Sequence, residues 1–318
     1  GSGFIGRHTA RELIRYGHTV SIFDKVSPFT DSFFNQHDTC RLRYQEVDAL
    51  NLQELYHAFQ FKDILRLRKG FDVVYMFAAI SDSKENHTDI QHAVETNIMS
   101  LTNTLKVCED LNIPRIIFSS TVWVYSVVEN REYVSEEQDL SISNTDHIYT
   151  TCKLACESIV RNYCEVRDID YTILRYGIAY GPGCHPDTIL SKFISNALNG
   201  IPLTITGTGD TYRNFLYVDD HARGNRLALC ENAKNKIINL EGAEPITLDM
   251  VAKRVKELHN EDVEILYTSA RHGDYKGKHV SNSKSKSLLG WTPTVDFKTG
   301  SKKLYEYIKE NINHCATC

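Results

Sequence analysis

Tyr149 and Lys153 stand four residues apart in the stretch His147-Ile148-Tyr149-Thr150-Thr151-Cys152-Lys153, at the start of a helical pattern. That spacing puts both side chains on one helix face. A phenol titrates near pH ~10, so it serves as a base near neutrality only where its anion is stabilised, and a neighbouring ammonium does this electrostatically. Spacing alone does not single the pair out. Tyr305 and Lys309 repeat it near the C-terminus, on what reads as one side of a solvated helix.

The chain opens with Gly1-Ser2-Gly3-Phe4-Ile5-Gly6, a helical pattern to about Tyr16, and a strand pattern, Thr19 to Phe23, that ends at Asp24. Glycines at such a turn permit close approach of the backbone to a pyrophosphate, which would face the helix N-terminus. A carboxylate about 20 residues on can accept hydrogen bonds from a ribose diol and repels a 2′-phosphate, so Asp24 favours NAD over NADP; Lys25 weakens that preference. The bland alternative is an ordinary loop. A dinucleotide fold needs a central strand ahead of this turn, and the expectation is that roughly ten residues, with the first glycine of the fingerprint, precede Gly1.

Strand and helix patterns then alternate. Leu42 to Val47 reads as a strand ending at Asp48 and Ala49, Leu52 to Leu67 as a helix, and Phe71 to Phe77 as a buried strand followed by Ala78 and Ala79. A helix from about Ile90 to Leu111 carries Asn97, and Arg115 to Phe118 reads as a strand running into Ser119-Ser120-Thr121. The helix from Tyr149 to Arg167 and the strand Tyr171 to Arg175 follow. This order predicts an α/β fold, a Rossmann-type doubly wound parallel sheet. Ligands of such sheets lie beyond the carboxyl ends of the strands, the edge where Gly3, Asp24, Asp48, Ala78 and Thr121 gather. Beyond the turn Tyr180-Gly181-Pro182-Gly183 the elements shorten. Residues 1–176 are expected to form the dinucleotide domain, with 215–242 returning to it, and 177–318 mainly a smaller α/β substrate lobe. Asp219 and Asp220 are expected to cap the helix that follows them.

Of the 318 residues, 42% are hydrophobic and 24% charged, enough to bury a large core. A net charge of −5 opposes general nucleic-acid binding, which needs a basic face. No apolar run reaches the roughly 18 to 20 residues of a membrane span, and a cytoplasmic location is expected. Nine cysteines, an odd number, point to reduced thiols. Cys152 with Cys156, and Cys315 with Cys318, lack a second ligand pair, so no metal is expected.

Taken together, Gly3-Phe4-Ile5-Gly6, Phe77-Ala78-Ala79, Asn97, Ser119-Ser120-Thr121 with Val124-Tyr125, Tyr149 through Lys153, Tyr180-Gly181-Pro182-Gly183, Arg213 through Asp220 and Leu289-Gly290-Trp291-Thr292-Pro293 resemble the extended short-chain dehydrogenase/reductase family. The resemblance is to its NAD-dependent nucleotide-sugar epimerase/dehydratase branch and spans the chain. It implies that Tyr149 is the acid/base, that Lys153 binds the nicotinamide ribose and lowers the phenol's pKa, and that Thr121 completes the triad. NAD contacts would come from Gly3, Phe4, Ile5, Gly6, Asp24, Asp48, Ala49, Phe77, Ala78, Ala79, Asn97, Ser119, Tyr149 and Lys153. Thr121, Tyr125, Arg213 and Arg271 would contact a nucleotide-diphosphate sugar, the two arginines holding its diphosphate.

The 4,6-dehydratases of this branch carry an Asp-Glu pair directly after the threonine; here Val122 and Trp123 stand there, and neither transfers a proton. The resemblance therefore implies C4 epimerisation of a UDP-hexose through a 4-keto sugar, as in UDP-galactose 4-epimerases. A 4-keto reductase, a dehydratase and a non-catalytic NAD sensor follow as alternatives in that order. Gly177-Ile178 replaces the usual asparagine region after Leu174-Arg175-Tyr176, and Ser126 a usual glycine, which leaves the sugar open. His147 and Trp123 are open between site and structural roles, and Glu157 reads as structural. Family members dimerise through two long helices, so a homodimer packed on Ile90 to Leu111 and Tyr149 to Arg167 is expected.

Overall fold

The computed structural model describes residues 1–60, 70–81, 88–129, 131–145, 147–259, 262–269 and 277–316. Its strands are β1 (Val20–Asp24), β2 (Leu42–Glu46), β3 (Val74–Met76), β4 (Arg115–Thr121), β5 (Tyr133–Val134), β6 (Asp170–Tyr176), β7 (Ile178–Tyr180), β8 (Leu203–Thr206), β9 (Tyr212–Tyr217), β10 (Lys236–Leu240), β11 (Pro245–Thr247), β12 (Ile265–Thr268) and β13 (His279–Val280). The spine is β4 paired in parallel with β6, from Arg115 opposite Asp170 to Thr121 opposite Tyr176. Every residue of β4 is buried, as a parallel strand covered on both faces requires. β3 and β10 flank this pair in the order β10-β6-β4-β3, all parallel.

The expected single sheet is divided among the described residues. β1 and β2 form their own parallel pair, and β1 is not hydrogen-bonded to β3. Instead, residues of β1 and of the 73–78 segment line a shared groove of about 1390 Å³. The helix Leu52–Gln60 follows β2, and the rest of its expected span lies outside the described residues. The long helix expected from Ile90 is interrupted: Glu95–Met99 forms a π-helical turn between Ile90–Val94 and Ser100–Asp110. Helix Ile148–Arg167 crosses the sheet and stops where Asp168 turns left-handed at φ 54°.

The second layer is built from β7, β9 and β11 together with the β8–β12 pair. Helices Ile189–Leu198, Leu248–His259 and Phe297–Ala316 pack there around Phe193, Ile194, Leu203, Phe215, Val251, Val255 and Leu304. β9 stays in this layer, while helix Val218–Leu227 and β10 return to the first. That helix packs on helix Phe4–Arg15 through Asn225 Nδ2 to Thr9 Oγ1 (2.8 Å) and the Arg226–Glu12 ion pair (2.9 Å). No helix among the described residues is long and apolar enough to cross a membrane.

Asp219 and Asp220 do not cap. The helix starts at Val218 with Tyr217 in the N-cap position, so both acids sit inside the first turn. The Asp220 carboxylate accepts from Thr294 N, Val295 N and Thr294 Oγ1, and pairs with Arg223. Trp291, fully buried, donates its indole N–H to the Asp220 carbonyl at 3.0 Å. One indole thus pins the Gly290-to-Val295 segment against the helix that joins the layers. Trp291→Ala should cost about 3–5 kcal/mol. Urea unfolding checks this: the midpoint should fall with the slope unchanged, and a loss below about 1 kcal/mol would contradict the anchoring role.

Candidate functional site

A cleft of about 1410 Å³ opens between the layers, at the carboxyl ends of the first sheet's strands. Its wall includes Gly3, Phe4, Ile5, Gly6, Asp24, Asp48, Ala49, Phe77, Ala78, Ala79, Ser119, Thr121, Tyr149, Lys153 and Arg213, residues from widely separated parts of the chain. The sheet brings them together because every β-to-α connection of a parallel sheet falls at the same edge.

At one end of the cleft, Gly3 occupies the N-cap of helix Phe4–Arg15, with no side chain capping the helix amides. These free donors and the helix dipole suit an anion. Gly6 is required by close packing, since a Cβ there would lie 2.3 Å from the Gly1 carbonyl oxygen. Asp24, at the end of β1, holds the turn: Oδ2 accepts from Ser2 N (2.8 Å), and Oδ1 from Val26 N (3.1 Å).

At the centre, the end of β4 organises the reactive groups. Ser119 Oγ donates to the Met76 carbonyl at 2.8 Å, and the Ser119 carbonyl accepts from Lys153 Nζ at 2.7 Å. Lys153 is only 2% exposed, and burial pushes its pKa down to about 8. Burial pushes the Tyr149 phenol above its ordinary value. The Lys153 Nζ, bonded to the Ser119 carbonyl, lies 5.6 Å from the Tyr149 ring centre. Thr121 Oγ1 accepts from Trp123 N at 3.2 Å. The Trp123 indole lines the cleft, edge-on to His147 at 5.8 Å, and His147 is edge-on to Tyr149 at 6.5 Å. The repeated pair is elsewhere: Tyr305 is buried against His259, 3.1 Å from its Nδ1.

Two expected contacts are not on the cleft wall. Asn97, 2% exposed in the π-helical turn, closes on the backbone of Ile80, accepting from its N–H at 3.0 Å and donating to its carbonyl at 3.2 Å. It shapes the Ala78-Ala79-Ile80 connection. Tyr125 is fully buried because the 3-10 turn Val122–Val127 rotates it inward and Trp123 outward; its hydroxyl donates to Asn239 Oδ1 and accepts from Arg175 Nη1, both at 2.9 Å. Arg213, on β9, reaches the wall and donates to the Tyr212 carbonyl. Arg271 lies outside the described residues. The wall also contains Cys184, His185, Thr188, Lys192 and Asn196, which follow the Gly181-Pro182-Gly183 turn and which motif reading passed over. Their only sequence signal is that position.

The model of the NAD-dependent epimerase/dehydratase family matches residues 1–240. The chain belongs to this family. Among its relatives, the UDP-glucuronate 4-epimerase of Thermodesulfobacterium geofontis is 25% identical over 98% of this chain and 95% of its own. The structure is similar to that of UDP-glucose 4-epimerase from Thermotoga maritima with UDP-glucose, with a TM-score of 0.87, 25% identity and coverage of 98% and 97%. It is also similar to UDP-glucuronic acid 4-epimerase from Bacillus cereus in complex with UDP-glucuronic acid and NAD, with a TM-score of 0.82, 28% identity and coverage of 98% and 97%.

Within that family frame the departure at Gly177 has a structural partner. Gly177 lines the cleft, and a Cβ there would fall 2.0 Å from Glu241 Oε1. Glu241, 2% exposed, accepts from the Gly242 N–H at 2.8 Å, and burial pushes its pKa up to about 8. An acid whose pKa rises on folding contributes its full stability below the unfolded value, near pH ~4.3, and loses it as pH rises toward the folded value. Glu241→Gln should therefore leave stability unchanged at pH ~4 and raise it by a few kcal/mol at pH ~8. Denaturant melts at both pH values check this; equal stabilities of the two proteins at the higher pH would refute it.

Proposed function

We propose that this chain is an NAD-dependent nucleotide-sugar epimerase that inverts C4 of a UDP-hexose through a 4-keto sugar. The observation that carries the reading is that Tyr149, Lys153 and Thr121 share one cleft with the uncapped helix N-terminus behind Gly3, while the residues after Thr121 are Val122 and Trp123. That set handles one proton. Elimination of water would need a further acid and base.

The wall suits the dinucleotide. Gly3 to Gly6 and the helix amides would take its pyrophosphate, Asp24 its adenine ribose, and Asp48 with Ala49 its adenine. When bound, NAD supplies the hydride acceptor and donor. Tyr149 takes the proton from the sugar O4 as the C4–H bond breaks and returns it as that bond re-forms on the other face. Thr121 orients the same hydroxyl, and Lys153, beside both groups, binds the nicotinamide ribose. Arg213 and Arg271 hold the diphosphate, a pairing that matches guanidinium donors to phosphate oxygens. In this reading cofactor contacts fall mainly to residues 1–176 and sugar-nucleotide contacts to 177–318. The exposed Ile90, Met99 and Val166, on the two long helices, suit a homodimer seam. The seven cysteines from Cys40 to Cys230 are free, which suits a reducing cytoplasm.

Incubating the protein with UDP-glucose and separating the sugar nucleotides tests the reaction. UDP-galactose should form with no added reductant; dependence on stoichiometric NAD(P)H would instead indicate a reductase. Tyr149→Phe should keep NAD binding and lower kcat by about 10²–10⁴-fold, and retained turnover would overturn the role of Tyr149.

A further inference from the structure

Behind the reactive groups runs a buried polar network that joins five elements. Ser120 Oγ, on β4 beside Thr121, donates to Glu157 Oε1 at 2.5 Å. Arg175, on β6, grips the same carboxylate with both arms of its guanidinium, Nε to Oε1 at 2.9 Å and Nη2 to Oε2 at 2.7 Å. The two side chains are 3% and 5% exposed. The remaining arm, Nη1, donates to Tyr125 Oη at 2.9 Å, and Tyr125 in turn donates to Asn239 Oδ1 on β10. The forked geometry fixes direction as well as distance.

Glu157 lies four residues after Lys153 and eight after Tyr149, on the same side of helix Ile148–Arg167. A fork that holds Glu157 to the sheet therefore holds the rotation of that helix about its axis. Around Lys153 are the thiols of Cys152 and Cys156, the ring of Tyr149, and Glu157 on its own helix. Facing it from β4 are the Ser119 carbonyl and the Phe118 ring; Arg175 and Tyr125 stand beyond Glu157. Glu157 is the carboxylate among these groups.

We infer that Glu157, gripped by Arg175 and Ser120, is a positioning residue for the reaction: it sets the helix rotation that presents Tyr149 and Lys153 to Thr121, and it holds a carboxylate one helical turn from Lys153. The inference rests on the epimerase reading of Tyr149 and Lys153. Burial draws the lysine's pKa down, and Cys156 and the Glu157 carboxylate work against it. Removing that charge lets Lys153 lose its proton at lower pH. The alkaline limb of the rate profile then moves toward acid, a change that a purely structural ion pair would not cause.

The test is kcat and KM with a UDP-hexose between about pH 6 and 10, on NAD-loaded wild type, Glu157→Gln, the double variant Glu157→Gln/Arg175→Met, and Ser120→Ala. The double variant is included because one partner of a buried pair left alone is strongly destabilising, whereas removing both is far milder. Glu157→Gln and the double variant should lower kcat about tenfold, keep KM within about threefold, and shift the alkaline limb acidward by about half a pH unit or more. Ser120→Ala should lower kcat about threefold with the limb in place. A double variant that binds NAD and retains the wild-type kcat and alkaline limb overturns the inference; where neither charge variant folds, an unchanged kcat in Ser120→Ala overturns it. An inactive Tyr149→Phe beside fully active Glu157 variants sinks this inference alone, while an active Tyr149→Phe sinks the reading beneath it.

Discussion

A lysine ammonium buried to 2% exposure needs an acceptor and a countercharge within reach, and meeting that need constrains most of the cleft. The acceptor is the Ser119 carbonyl, one residue past the last β3–β4 pair, Met76 opposite Phe118. Helix Ile148–Arg167 must therefore cross at the height of Ser119. The β4–β6 register meets this requirement by carrying Arg175 opposite Ser120, so that the sheet's own pairing aims the guanidinium at Glu157. Strand register, helix rotation and the position of the reactive phenol are thus one geometric condition.

The opposite wall is shaped by steric exchange. Gly177 gives up a side chain and the Glu241 carboxyl occupies the space. Ile178 and Ala179 follow on the wall, across from which Trp123, His147 and Tyr149 make an aromatic arc. These substitutions leave the proton-handling centre untouched and alter the surface that a sugar would meet. This is how one scaffold carries a constant reaction centre with a variable substrate wall.

Much of this was legible in the residues themselves. The apolar core Ile116-Ile117-Phe118 announces β4, and a parallel sheet then collects its loops at one edge, so Gly3, Asp24, Asp48, Ala78 and Thr121 could be placed together without coordinates. Two of the differences share a cause, backbone that departs from the 3.6-residue repeat. Tyr125 sits in a 3-10 turn, where a neighbour two residues away points elsewhere than in an α-helix, so Trp123 took the wall and Tyr125 the core. Asn97 sits in a π-helical turn that swings its amide onto Ile80. Asp219 and Asp220 resemble a cap in composition, but partners distant in sequence, His8 and Thr294, claim their carboxylates. Glu241 opposite Gly177 was invisible because the two are 64 residues apart, and only the β6–β10 pairing brings them together.

The protonation states of the centre follow from the same burial. Burial raises the phenol and lowers the ammonium, so each shift favours the uncharged form of its group. A phenolate on Tyr149 without a charged Lys153 beside it is therefore the arrangement this buried site resists most, and the phenolate becomes accessible only as positive charge is added or kept nearby. The role inferred for Glu157 bears on the second half of that condition, and the Arg175 fork fixes where its carboxylate stands. Val122 and Trp123 offer no proton of their own, so in the proposed reaction the proton moved at the sugar passes through Tyr149. The centre is built for one proton moved in each direction, which matches a reaction that ends with the same atoms it began with.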